Sequence, residues 1–280
     1  TKLSCAESVF FCNSGAEANE SAIKLIKKYG NKTNLGKESF ILAAESSFHG
    51  RTLATLSATG QPKYQKGFEP MVKGFKFFKY NDITSVKNLF EELKRNNQKV
   101  SGILVEPIQG EGGVIPGDKE FFKELREICN QNNSLLILDE VQSGVGRTGK
   151  MWGYENLEIE PDGFTLAKGL GGGHAIGALL VQKKANIFSP GDHASTFGGN
   201  PFACRAALTV LEEISRRKIL NNVFERGNQL NKGLNKISAK FPEIIKGIRG
   251  LGLIQGLVIN DSYTDAQTIT LKAFEKGLLL

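Results

Sequence analysis

Leu135-Leu136-Ile137-Leu138-Asp139-Glu140 is a run of large aliphatic residues closed by two acids. Apolar residues at consecutive positions, without in–out alternation, mark a strand covered on both faces, as inside a parallel sheet. Similar runs lie around it: Ser8–Cys12, Ser39–Ala43, Gly74–Lys79 and Gly102–Glu106 before, Gly163–Ala167 and Ala175–Val181 after. Helix-period segments alternate with them. Ser14 followed by Glu17 reads as a capping box, continued by an apolar stripe of Ala22, Leu25, Ile26 and Tyr29. Asp118 opens a second helix with Phe121, Phe122, Leu125, Ile128 and Cys129 on its apolar side. Asn200-Pro201 opens a third, with Pro at the first helical position. Alternating strands and helices predict an α/β fold with a mostly parallel seven-stranded sheet and helices on both faces.

From about Asn200 the pattern changes. One helix is expected to about Ile219 and another from Asn221 to about Lys240. A Gly-punctuated strand pair (Ile248–Ile259) and a last helix, from Thr264 and still running at Leu280, follow. The 280 residues predict one large domain or two unequal ones. We expect a large domain over 1–215, then a linking helix and an incomplete small α/β domain over 216–280. With no starting Met and an apolar strand almost at once, the chain reads as an internal piece of a longer protein.

Composition narrows the function classes. At 40% hydrophobic and 23% charged residues the chain is globular and not disordered. Its longest apolar runs fall far short of the ~20 residues of a membrane span. The 36 Lys+Arg against 29 Asp+Glu give +7, which favours anionic partners. The basic residues are dispersed among acids, so no nucleic-acid face is expected. Four cysteines without a CxxC read as reduced thiols, and three scattered histidines without HExxH predict no metal site. A reducing compartment follows, the bacterial cytoplasm being the simplest and an organelle the alternative.

The loop Gly144–Lys150 matches GxGxxG and GxxxxGK. A P-loop needs Ser or Thr after the Lys, where Met151 stands, and a dinucleotide loop needs an amphipathic helix directly after it. A nucleotide-binding enzyme is therefore the distant alternative. Asn13-Ser14-Gly15-Ala16-Glu17-Ala18 takes a strand straight into a helix, which is a ready anion cradle or an ordinary capped turn. Asp139 ends a buried strand, where α/β folds bind ligands, although an exposed loop acid reads the same way. Lys168 ends another strand among glycines, as a nucleophile in a partly dry pocket or as a surface Lys. Ser46-Ser47-Phe48-His49-Gly50-Arg51 offers an aromatic ring and a guanidinium suited to carboxylate. Together, a phosphate cradle, a flat aromatic, an acid and an amine are the equipment for pyridoxal phosphate.

Six segments resemble class III aminotransferases of fold type I: Phe11–Glu20, Phe48–Thr52, Glu106–Gly113, Leu138–Gln142, Ala167–Gly169 and Ser195–Pro201. They follow the family's order over nearly the whole chain. The resemblance implies that Lys168 holds the cofactor covalently and that Asp139 faces its ring nitrogen. It implies Gln142 beside the ring hydroxyl, Phe48 stacked on the ring, and Gly15 and Ala16 on the phosphate. Thr196 resembles a residue reaching the phosphate across a homodimer interface with shared active sites. Arg51 and Ser195 resemble contacts to an acylated ornithine, and Glu111 an acid paired with a substrate-binding Arg beyond Leu280. The implied reaction moves a terminal amine to 2-oxoglutarate, with succinylornithine, ornithine and 4-aminobutyrate as alternative amines.

Overall fold

The computed structural model describes residues 1–33 and 38–280. Its strands are β1 (Ser8–Cys12), β2 (Ser39–Ala44), β3 (Phe75–Phe78), β4 (Lys99–Val105), β5 (Ile108–Gln109), β6 (Ile115–Pro116), β7 (Leu135–Asp139), β8 (Gly163–Leu166), β9 (Gly177–Val181), β10 (Ile245–Leu251) and β11 (Ile254–Ile259). Its helices are α1 (Gly15–Thr33), α2 (Leu53–Ala58), α3 (Pro62–Gln65), α4 (Ile83–Arg95), α5 (Lys119–Gln131), α6 (Pro201–Arg216), α7 (Ile219–Lys240) and α8 (Ala266–Glu275).

The expected sheet forms, seven strands in the order β1-β9-β8-β7-β4-β2-β3. β2, β3, β4, β7 and β8 pair in parallel, whereas β9 is antiparallel to β8 and β1. Every strand of this sheet except β9 thus ends on the same edge. β7 is buried throughout because its side chains feed two apolar layers. Leu135 and Ile137 join Ile41, Leu104 and the apolar stripe of α1. Leu136 and Leu138 join Ile103, Val105 and Phe164 under α4, α5 and α6. Burial on both faces is why the sequence shows no alternation there.

The caps are local. Asp118 accepts Phe121 N at 3.0 Å and Asn200 accepts Ala203 N at 2.9 Å. The box at α1 differs from expectation. Ser14 Oγ accepts Glu17 N at 3.2 Å, but the Glu17 carboxylate reaches past Ser14 to Asn13 N at 2.9 Å and Asn13 Nδ2 at 2.8 Å. That acid therefore pins the short link between β1 and α1.

Two helix boundaries also differ. α6 stops at Arg216 and α7 begins at Ile219, because Lys218 takes φ +52° and turns the chain. α8 does not run on to Leu280. It closes after Glu275 with Gly277 at φ +81°, whose N–H meets Phe274 O at 2.9 Å while Leu278 N–H meets Ala273 O at 2.9 Å. This is the Schellman pattern that glycine permits.

The Gly144–Lys150 loop leads into a single 3₁₀ turn, Gly153–Asn156, and no amphipathic helix follows it directly. It serves as a seat for the β10–β11 hairpin. Leu253 N donates to Arg147 O at 3.0 Å. A Cβ on Gly252 would stand 2.7 Å from that oxygen, so the turn must be glycine. The four cysteines are free. Among the described residues no cluster could hold a metal ion, and no helix is long and apolar enough to cross a membrane.

Candidate active site

Because the strands other than β9 share one terminal edge, the residues leaving them converge. A cavity of about 540 Å³ lies there, lined by Asn13–Ala16 after β1, Phe48–Arg51 after β2, Glu106 after β4, Asp139–Gln142 around the end of β7, and Ala167 and Lys168 after β8. Glu140 is the exception within its stretch, being turned to the other side of the strand. Gly15, Ala16, Phe48, Arg51, Asp139, Gln142 and Lys168, all singled out from sequence, therefore meet in one place.

The floor is a buried polar network around Asp139. Its Oδ2 accepts Asn19 Nδ2 at 2.7 Å and lies 2.8 Å from His49 Nδ1. Its Oδ1 accepts Val141 N at 3.0 Å. Asn19 is itself held, donating to His49 O at 2.8 Å and accepting Thr165 Oγ1–H at 2.7 Å. The remaining ring nitrogen, His49 Nε2, is buried without a partner among the described residues. Glu106 lies close by, accepting Phe48 N at 3.0 Å and Gly110 N at 3.1 Å. Burial pushes its carboxyl up to about 7, with Asp139 adding to the rise and His49 opposing it.

Lys168 follows β8 with φ +42°, a left-handed conformation rare for a residue with a side chain. Its ammonium is held below the usual lysine range because desolvation outweighs the attraction of Asp139, Glu111 and Glu106. On the other side of the cavity, Gly15 and Ala16 open α1, where amides have no intrahelical acceptor. A Cβ on Gly15 would come within 2.9 Å of Val141 Cγ1, so glycine keeps this cradle open.

The rim is more exposed. Arg51 Cζ lies 4.5 Å from the Tyr64 ring centroid and 5.5 Å from that of Phe48. Glu111 is outside the cavity lining; it accepts Gln142 Nε2 at 3.4 Å and forms no ion pair among the described residues. Ser195 and Thr196 line a neighbouring cavity of about 400 Å³ instead. Asn13 borders both, and its Nδ2 donates to Ser195 Oγ at 3.1 Å.

Sequence reasoning did not single out Asn19, Thr165, His49 or Glu106 as site residues. Asn19 had a signal: it stands three residues before Ala22 and seven before Ile26, a polar residue on an apolar stripe. Thr165 likewise interrupts an apolar strand. His49 offers a titratable ring within Ser46–Arg51 and Glu106 heads a family-like segment, but no spacing ties either to Asp139.

The whole chain, residues 1–280, matches the family described as Aminotransferase class-III. It is 91% identical over 280 residues to the acetylornithine aminotransferase of Prochlorococcus marinus subsp. pastoris, covering 100% of this chain and 68% of that protein. It resembles the N-acetylornithine aminotransferase structure from Stenotrophomonas maltophilia, with a TM-score of 0.79 and 35% identity over 98% of this chain and 66% of that one. An ornithine aminotransferase structure from Toxoplasma gondii, described as showing partial occupancy of PLP at its active site, has a TM-score of 0.89 and 32% identity over 98% of this chain and 65% of that one. The chain thus spans about two thirds of the length of these relatives. Class III aminotransferases use pyridoxal phosphate, and the residues here fit it. Free amides at Gly15 and Ala16 suit the phosphate, the Asp139 carboxylate a protonated ring nitrogen, and the Lys168 amine a carbonyl. The family, the neighbouring structures and the donor set agree, and the chain belongs to the class III aminotransferases.

Proposed function

We propose that this chain is the greater part of an acetylornithine aminotransferase, which moves the terminal amine of N-acetylornithine to 2-oxoglutarate in arginine biosynthesis. The observation that carries the proposal is the convergence of Lys168 and Asp139 on one cavity. Bound pyridoxal phosphate supplies a carbonyl that takes up amines and a ring that draws electrons from the adjacent carbon. Asp139, braced by Asn19 and His49, keeps the proton on the ring nitrogen. Gly15 and Ala16 would hold the phosphate, Phe48 would cover the ring, and Gln142 would stand by its hydroxyl. Lys168, whose amine gives up its proton more readily than an ordinary lysine's, takes the proton from the substrate carbon and returns it. Arg51 and Ser195 receive the acylated ornithine, with Glu111 near the entrance.

Thr196 serves the partner's site in a homodimer. Supporting this, Thr196 does not line its own chain's Asp139 cavity, and the adjoining Phe197 is 73% exposed. Division into a large domain over 1–215 and a smaller one over 216–280, and a cytoplasmic location, complete the reading.

The test is an absorption spectrum with pyridoxal phosphate, borohydride reduction and peptide mapping, then kinetics with acetylornithine, succinylornithine, ornithine and 4-aminobutyrate. The label is expected on Lys168, with acetylornithine the best amine. Lys168→Ala is expected to lower turnover at least about 10⁴-fold. A label on another lysine, or a different preferred amine, defeats the assignment.

A further inference from the structure

Arg51 lines the cavity, yet among the described residues its guanidinium makes no ion pair or hydrogen bond. What holds it is aromatic. Tyr64 packs edge-on to Phe48 with ring centroids 5.7 Å apart at 78°. Arg51 Cζ is 4.5 Å from the Tyr64 centroid and 5.5 Å from the Phe48 centroid. A ring restrains the guanidinium plane without using any of its N–H donors, so the whole fork stays available for a carboxylate.

Tyr64 is itself fixed. It belongs to the single turn α3, whose flanking Gln61 donates from Nε2 to Ser46 O and Ser47 O, each at 3.1 Å. Gln65 Nε2 donates to Thr59 O at 2.9 Å and Leu56 O at 3.2 Å. The turn is thereby tied to the loop that carries Phe48 and Arg51. The Tyr64 hydroxyl has no partner among the described residues, so the ring is the part in use. Lys63 Nζ, 4.8 Å from the same ring, adds positive potential beside the fork.

We propose that Tyr64 is a positioning residue for substrate recognition: it orients Arg51 toward the carboxylate of the incoming amino acid. This rests on the proposed function and deepens it. The test uses the pyridoxal-phosphate-loaded protein and its Tyr64→Leu and Tyr64→Phe variants, with folding checked by circular dichroism. Two amines are compared, N-acetylornithine and N-acetylputrescine, which lacks the carboxylate. Binding of N-acetylnorvaline, which keeps the carboxylate and lacks the terminal amine, is measured by calorimetry.

Tyr64→Leu is expected to raise KM for N-acetylornithine about five-fold, with kcat nearly constant, and to weaken N-acetylnorvaline binding by a similar factor. Its KM for N-acetylputrescine is expected to stay put, and Tyr64→Phe to restore the carboxylate effect. Equal losses on both amines, or unchanged N-acetylnorvaline binding in Tyr64→Leu, overturn the role of Tyr64. A parent protein that binds N-acetylnorvaline but transfers no amine overturns the proposed function instead, while the binding comparison still decides the role of Tyr64.

Discussion

Asp139 and Glu140 are neighbours at the end of the same strand, and they have opposite fates. Successive strand residues point to opposite faces. Asp139 continues the side of Leu135 and Ile137 and meets Asn19 of α1, His49 and the cavity. Glu140 turns to the other side, where its two oxygens accept Gly153 N at 2.6 Å and Tyr154 N at 2.8 Å. One acid is held mainly by side chains and faces the cavity. The other is enclosed by backbone and fastens the loop that returns from β7. Adjacent in sequence, the two acids are separated by the strand geometry.

The contrast predicts unequal consequences. Asp139→Asn keeps the shape but removes the charge on which the proposed pairing with a protonated ring nitrogen depends. Removing one partner of a buried pair is worth about 3–5 kcal/mol, so turnover should fall by about 10²–10⁴-fold. The cofactor absorption band and single-turnover rate check this, and an unchanged rate would remove Asp139 from the reaction. Asn19→Ala is a smaller break of the same floor. It leaves Asp139 and Thr165 each short of a buried partner, at about 1–3 kcal/mol of folding stability. Urea unfolding measures it. A loss below about 0.5 kcal/mol would mean that water replaces the amide.

The fold was legible where burial leaves a pattern. Leu135–Leu138 announced a doubly covered strand, and Asp118 and Asn200 announced helix starts, because each signal is local. The end of α8 was misread because a lone Gly277 near a terminus resembles an ordinary residue until its φ is known. The site was legible in its parts: Asp139 ends a strand, and Lys168, Phe48 and Gly15 each follow one. The couplings were not. Nothing in sequence spacing relates Asn19 to Asp139 or Tyr64 to Arg51, since those contacts depend on how separate strands and loops meet. The glycine-rich Gly144–Lys150 loop shows the converse, a strong local pattern whose glycines answer to a docked hairpin.

Glu140 supplies the remaining test of the contrast, through pH. Burial pushes its carboxyl up to about 8 from the usual 4.5, the two amides only partly offsetting the desolvation. A raised folded-state value means that the folded chain binds more protons than the unfolded chain between these limits. Its stabilising effect is complete below about 4.5 and is lost as pH rises to about 8. Glu106, pushed up to about 7, adds a decline of the same sign that ends earlier. Between pH 7 and 8 the slope therefore belongs mainly to Glu140, at no more than about 1.4 kcal/mol per pH unit. Glu140→Gln lowers stability at the acid end of this range, because its amide nitrogen cannot accept one of the two backbone N–H groups. It also removes the titration, so urea midpoints taken from pH 5 to 9 should decline less steeply in the variant. Parallel curves through pH 7 to 8 would mean that Glu140 keeps its charge when folded, and that the two backbone N–H groups outweigh its burial.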